Sequence, residues 1–429
     1  MKRTIFFILV LTTVASLAQT TTPPPHPRAR DIGVPFNGRP GPLNAITDVK
    51  GVEVGHTTLI SGEGPLKLGQ GPVRTGVTAV LPRGKASTDP VFAGWFSLNG
   101  NGEMTGTTWV EESGFLDGPV LITNTHSVGV VRDAAIAWRQ RRLPRASWDS
   151  WSLPVVAETW DGWLNDISGF HVKPDHVYNA LDNAHSGPVV EGSVGGGTGM
   201  VCNEFKGGIG TSSRKLEEKA GGYTVGVLVQ CNYGRRQDLM IAGVPVGREI
   251  PGSIFAREQG SIIIVVATDA PLIPTQLKRL ARRAALGLAR NGSNSGNASG
   301  DIFIAFSTAN DEFRSDKNHK LTMVPNDRMD PIFEATVQAT EEAIINAMVV
   351  NETMVGVDNH RAEALPHERL REVLSRYNRL VGSPVPAQQV PQQPAPQQTP
   401  PQTAPPSQQT APQQSPQQPQ QASPQPLGR

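Results

Sequence analysis

Six consecutive apolar residues, Ile262, Ile263, Ile264, Val265, Val266 and Ala267, restrict this chain more than any other stretch. Five of them are β-branched, which favours a pleated strand, and a run this apolar predicts one that is buried, over 261–268. The segment after it narrows the topology. Pro274 to Arg290 carries Leu277, Leu280, Ala281, Ala284 and Leu288 at helical spacing and stops before Gly292, and 301–306 is apolar strand again. A strand, helix, strand link of this kind makes the two strands neighbours when the crossover is parallel.

Directly before the apolar run stands Gly260-Ser261. Read plainly, the glycine makes a turn and the serine tolerates the strand edge. The same dipeptide is what a self-cleaving precursor would use, because a hydroxyl placed behind a glycine carbonyl can attack it. Cleavage there would leave Ser261 with both a nucleophilic hydroxyl and a free α-amine, whose pKa of about 7.7 to 8 suits it to act as a base near neutral pH.

Three further groups have the chemistry to serve such a nucleophile. Ser299 and Asp301 lie two residues apart at the start of the second strand, where period-two geometry lets them share a face and meet the Ser261 end if the crossover is parallel, or else they belong to a solvent-exposed turn that closes the 291–300 loop. Asn232 closes an apolar strand over 224–232 whose pattern is buried on both faces. Its amide is able to donate to a developing oxyanion, or simply to begin a turn. Glu158, followed by Trp160, offers a carboxylate for a substrate ammonium beside an aromatic wall, or else sits on a strand edge.

The rest of the chain reads as strands over 46–58, 76–82, 91–99, 119–123 and 155–160, and as helices over 128–142, 331–350 and 366–377. Strand layers with long helices suggest helices outside two sheets. The ends differ in kind. Residues 1–18 have a basic start, a short apolar stretch and a small-residue finish, the pattern of a signal peptide, which makes the product exported, periplasmic or secreted. Residues 19–30 read as a flexible lead-in, and 383–429 as a disordered Pro/Gln-rich tail. About 350 residues remain, enough for one large core.

Lys and Arg number 39 against 38 Asp and Glu, a net charge of +1, which leaves no footprint for nucleic acid. No run approaches the roughly 18 apolar residues of a membrane span. Metal-ligand spacing is absent, so neither metal nor cofactor is expected. Cys202 and Cys231 are the only cysteines. The sequence leaves open whether they pair.

The blocks Gly260–Leu272 and Ser299–Phe306, with Ile46–His56, Asn99–Gly106, Val194–Met200 and Gln230–Gly234, resemble the L-aminopeptidase D-esterase/D-amidase and β-peptidyl aminopeptidase family. The resemblance covers nearly the whole core, in the family's order. It implies an α/β fold, specifically a four-layer αββα sandwich, cut autoproteolytically between Gly260 and Ser261 into an α chain (31–260) and a β chain (261–382). It further implies a homotetramer of αβ heterodimers that removes L-α, D-α or β-amino acid residues from the free N-terminus of peptides, amides or esters. Carried over by motif, Ser261 is the nucleophile, Ser299 and Asp301 support it, Asn232 lies in the oxyanion hole, and Glu158 with Trp160 receives the substrate amine. Trp160 stands where several members carry tyrosine, and Asp301 where some carry glutamate, which keeps the charge and shortens its reach. The alternatives are an autoprocessing acyltransferase and a catalytically silent interaction protein of the same fold.

Overall fold

The computed structural model describes residues 26–142, 151–256, 260–314 and 317–382. The signal-peptide and tail readings lie outside these residues. The strands in chain order are β1 (Glu53–Ser61), β2 (Val73–Leu81), β3 (Val91–Ser97), β4 (Phe115–Leu116), β5 (Val120–Asn124), β6 (Val155–Thr159), β7 (Val201–Cys202), β8 (Phe205–Lys206), β9 (Gly208–Lys215), β10 (Thr224–Asn232), β11 (Ser261–Thr268), β12 (Ile302–Ser307), β13 (Met354–Val355) and β14 (Arg361–Ala362). The helices are α1 (Thr107–Ser113), α2 (Val128–Arg142), α3 (Pro174–Asp182), α4 (Val246–Glu249), α5 (Pro274–Arg290), α6 (Asp330–Val349) and α7 (His367–Arg376). No helix among the described residues is long and apolar enough to cross a membrane.

Two sheets carry the core. One has the order β1-β2-β5-β6, the other β4-β3-β12-β11-β10-β9. The apolar run of β11 alternates as a strand must. Ile262, Ile264 and Val266 pack with Leu277 and Leu280 of α5 and Ala339 and Ala343 of α6. Ile263, Val265 and Ala267 face the other way, into a cluster with Val80, Val120, Ile122 and Val155 of the smaller sheet. That sheet's outer side, through Val77, Ala79, Leu121 and Val156, packs on α2 and α3. At about 25 cal/mol per Å² of apolar surface removed from water, strands buried on both sides contribute more than their share of the driving force. The strand, helix, strand link from β11 through α5 to β12 is parallel, with Ile263 opposite Ile302.

Three expectations are corrected. The strand read over 46–58 begins only at Glu53. Residues Ile46–Asp48 form a 3-10 turn, because the Asp48 carboxylate takes the Leu43 and Ala45 amides at 3.0 and 3.2 Å and so ties the backbone into a cap. Asp301 precedes its strand, which starts at Ile302, and its N–H donates to the Asn99 side chain at 2.6 Å. The lead-in, expected to be flexible through residue 30, is fixed from Arg28 onward. Arg28 pairs with Glu191 at 2.7 Å, Ala29 is fully buried, and Arg30 forms a two-point bond with the buried Glu342 at 2.7 Å. Proline and threonine in a segment do not by themselves prevent two arginines from anchoring it.

Cys202 and Cys231 form a disulfide, with their Cα atoms 5.6 Å apart. It ties the β7–β8 hairpin to the end of β10, one residue before Asn232.

Candidate active site

Strand register builds the site. In the antiparallel β10–β11 pair Asn232 stands opposite Ser261. In the parallel β11–β12 pair the register at Ile263 and Ile302 carries Gly300 level with Ser261, and the Gly300 N–H donates to Ser261 Oγ at 3.0 Å. Ser299 Oγ donates to Asp301 Oδ1 at 2.7 Å. Ser261, Ser299 and Asp301 are all buried. Burial pushes the Asp301 carboxyl pKa up, against the opposing pull of bonds from the Ser299 and Ser295 hydroxyls and the Ile262 amide. The Ser299–Asp301 pair therefore forms as expected, as a turn closing onto β11 rather than as one face of a strand.

Gly260 has φ of 117°, a backbone conformation that L side chains rarely adopt, and a Cβ there would collide with the Asn232 carbonyl oxygen and stand 3.3 Å from Tyr233 Cα. Only glycine lets the chain enter β11 this close to β10. The Gly260 carbonyl carbon is then the acyl group directly bonded to the residue whose hydroxyl is the candidate nucleophile.

The Asn232 side chain is clamped at both ends. Nδ2 donates to the Trp160 carbonyl at 2.9 Å, and Oδ1 accepts the Val201 N–H at 2.8 Å. Since Nδ2 carries two hydrogens, one remains to meet a negative oxygen. Asn232, Trp160 and Gly260 line one narrow crevice together with Trp163 and Phe255.

Glu158 comes from β6, where it is buried. Oε1 accepts the Glu103 N–H at 2.9 Å, and Oε2 accepts the Thr125 hydroxyl. Burial raises its pKa, and those two bonds oppose the rise. Glu158, Thr125, Trp160, Gly260 and Ser261 line a single cleft of about 490 Å³. Trp160 is 38% exposed and forms part of its wall. A separate, smaller groove between α2 and the 82–89 turn, lined by Arg83, Trp138 and Arg139, holds none of these residues.

Ser261, Asn232, Glu158, Trp160 and Gly260 thus fall along two adjoining crevices that share Gly260 and Trp160, while Ser299 and Asp301 line neither and lie buried behind Ser261. Sequence reasoning missed four contributors: the Gly300 amide, Asn99, Thr125 and the Glu103 amide. Asn99 and Glu103 lie in the glycine-rich 99–106 block, whose loop locks onto 298–300 through Asn101 Nδ2 to the Ala298 carbonyl at 2.8 Å and Asn99 Nδ2 to the Gly296 carbonyl at 3.1 Å. Thr125 sits in Thr-Asn-Thr-His after β5, where no pattern marks it.

A serine at the head of a central strand, an amide side chain across from it, a neighbouring serine and carboxyl, and a cleft holding a buried carboxylate are the groups a serine hydrolase uses, set here in an α/β fold of two sheets. The comparisons agree. The profile of peptidase family S58 matches residues 44–362. The β-peptidyl aminopeptidase BapA of Sphingosinicella microcystinivorans is 56% identical over 376 residues, spanning 83% of this chain and 94% of that protein. BapA of Sphingosinicella xenopeptidilytica is 50% identical over 366 residues, spanning 81% and 91%. Among solved structures, the L-aminopeptidase D-Ala-esterase/amidase of Ochrobactrum anthropi, described as a variant of the Ntn hydrolase fold, is 50% identical with a TM-score of 0.78, covering 83% of this chain and 100% of its own. The chain belongs to peptidase family S58, and it is an aminopeptidase.

Proposed function

We propose that this protein is an exported serine aminopeptidase that cuts itself between Gly260 and Ser261 and then releases N-terminal residues, β-amino acids among them, from short peptides, amides and esters. One observation carries the chemistry: Ser261 Oγ lies at the strand head under the Gly300 N–H, next to a glycine carbonyl and opposite Asn232. The β-amino acid preference rests on what the two BapA relatives are called.

In the precursor, Ser261 Oγ adds to the Gly260 carbonyl carbon and the peptide C–N bond breaks. An ester remains, and the Ser261 nitrogen becomes a free amine. Water hydrolyses the ester, giving a Gly260 carboxylate and restoring the hydroxyl. Before the cut that nitrogen is an amide and has no basicity; afterwards it is able to take the Oγ proton as the hydroxyl attacks a substrate carbonyl. The second Asn232 hydrogen then meets the oxyanion, a donor role worth about 3 to 4 kcal/mol where it has been removed in other enzymes. The proton passes to the leaving amine, and water releases the acyl group. Glu158 receives the substrate ammonium, and Asp301 acts through Ser299 to hold the turn that delivers the Gly300 amide.

The alternation of three apolar clusters, helix to sheet, sheet to sheet and sheet to helix, supports the four-layer αββα reading and leaves the cut chains associated through a shared core. The Cys202–Cys231 disulfide fits an oxidising compartment, as an exported protein would meet. The assembly we propose is a homotetramer of αβ heterodimers.

A denaturing gel of the purified protein tests the first step. Two bands are expected, the smaller beginning at Ser261, while Ser261→Ala gives one uncut, inactive chain. A single full-length band with aminopeptidase activity would overturn self-cleavage.

A further inference from the structure

Lys206 is buried completely, yet no charged group among the described residues acts on its amine. Its Nζ donates instead to two carbonyls, those of Met200 at 2.9 Å and Gly207 at 2.6 Å. The Met200 carbonyl belongs to the peptide unit whose N–H is that of Val201. That N–H donates to Asn232 Oδ1 at 2.8 Å, and the other end of the same side-chain amide donates to the Trp160 carbonyl. The path from the Lys206 ammonium through one backbone peptide to the Asn232 amide is therefore continuous, and Asn232 stands opposite Ser261 in the β10–β11 pair. Hydrogen bonds in such a chain polarise one another inside a low-dielectric interior. The hairpin that holds the path is itself fixed, with Val201 paired to Lys206 across β7–β8 and Cys202 bonded to Cys231 beside Asn232.

We propose that Lys206 is a positioning residue for the oxyanion donor: it clamps and polarises the Met200–Val201 peptide, and through it sets the orientation and donor strength of the Asn232 amide. The proposal rests on the reading of Asn232 given above. It does not need a fixed charge. Burial draws the Lys206 pKa down to about 7, and a neutral amine still has two hydrogens for two carbonyls. A purely structural reason for the residue is weak. A buried cation without a counter-charge costs stability, and an apolar side chain of similar volume in its place is often neutral or stabilising.

The test compares Lys206→Met, Asn232→Ala and the double variant, following both self-cleavage of Gly260–Ser261 and turnover of a β-aminoacyl anilide by the cleaved enzyme. For K206M we expect kcat about tenfold lower, short of the roughly 10²- to 10³-fold loss for removing a donor outright. KM should change less than twofold and the thermal midpoint should not fall. In the N232A background K206M should cost almost nothing more, because the group it orients is gone. Unchanged kcat in K206M beside a slow N232A overturns the relay alone. A full tenfold loss added on top of N232A does the same, as does a loss in K206M that appears in KM or follows a lowered midpoint. An N232A enzyme with normal kcat overturns the reading of Asn232 and the relay with it. If K206M fails to fold, Lys206→Leu, which likewise has no donor for the Met200 and Gly207 carbonyls, carries the same comparison, and wild-type kcat in the purified K206M or K206L enzyme refutes the proposal.

Discussion

Glu158→Gln separates recognition of the amine from the chemistry at Ser261. The glutamine keeps the size of the side chain and an oxygen for the Glu103 amide, which the carboxylate accepts at 2.9 Å; it removes the charge and requires the Thr125 hydroxyl to accept rather than donate. A hydrogen bond to a charged group is worth about 1.5 to 3 kcal/mol, and about 1.4 kcal/mol is a factor of ten, so kcat/KM for a substrate bearing a free ammonium should fall roughly 10- to 150-fold. The assay measures a β-alanyl anilide against the propionyl anilide that lacks the amine. The wild-type preference for the amine should collapse in E158Q while turnover of the propionyl compound holds. The pH profile adds a sign. Activity needs the Glu158 carboxylate, so the acid limb of kcat/KM should lie above the ordinary glutamate range, because burial raises this pKa, and it should vanish in E158Q. Stability moves oppositely. A carboxyl with a raised folded pKa contributes stability that is present below its unfolded pKa and is lost as pH rises through the folded value. At neutral pH the charged form is a cost, and E158Q should unfold no earlier than wild type. Equal amine preference in the two enzymes would refute the assignment, and so would a fall in activity that merely follows a lowered melting temperature.

Two further outcomes are expected of the same structure. Gly260→Ala places a Cβ against the Asn232 carbonyl at a φ of 117°, and strain of about 1 to 3 kcal/mol should slow self-cleavage about tenfold or more; uncut precursor on a timed gel measures it, and cutting at the wild-type rate would show that the glycine geometry is irrelevant. Asp161, fully buried and pushed up to about 7 by burial against bonds from Thr75, Asn165 and Asn124, should make the fold lose stability as pH rises from the ordinary aspartate range through 7, so Asp161→Asn should gain on wild type by the order of a few kcal/mol above pH 7, read from chemical unfolding at pH 5 and 8.5; an identical gap at both values would refute the shift.

Where the sequence spoke through apolar pattern, the structure follows it to the residue: 224–232, 261–268, 274–290 and 128–142 have the expected bounds. Burial achieved with polar groups stayed hidden. Strand β9, Gly-Ile-Gly-Thr-Ser-Ser-Arg-Lys, has almost no apolar signal, yet all but its last residue are buried. Ser212 donates to the Ala339 carbonyl at 2.6 Å, Ser213 to Asp48 at 2.6 Å, and Arg214 pairs with Glu342 at 2.7 Å, so hydrogen bonds and an ion pair replace the pattern that strand reading depends on. Helix α3 was legible and went unread, since Pro174 sits in its first turn and Val177, Ala180 and Leu181 keep helical spacing. The site divided along the same line. Ser261, Asn232, Ser299, Asp301 and Glu158 stand at strand ends or beside glycines, where a polar residue breaks an apolar run and draws notice. Thr125 and the Gly300 and Glu103 amides contribute through backbone position or through a hydroxyl in an unremarkable loop, and only coordinates reveal such roles.

The pairing of strands also fixes how precisely the nucleophile can be aimed. Ser261 meets Asn232 through an antiparallel register and Gly300 through a parallel one, so two independent ladders set one oxygen. A slip of one residue in either would turn every side chain of β11 to its opposite face, exchanging Ile262, Ile264 and Val266 between the helix side and the sheet side. Both sides are filled by matched apolar partners, so the slip is opposed along the whole strand and not only at its head. The long buried β11 and the site at its first residue are thus one device: burial on two faces holds the register, and the register holds Ser261 Oγ under the Gly300 amide. Substitutions deep in β11 that preserve volume should therefore spare the site, while a polar residue at Ile263 or Ile264 should misplace a hydroxyl several residues away.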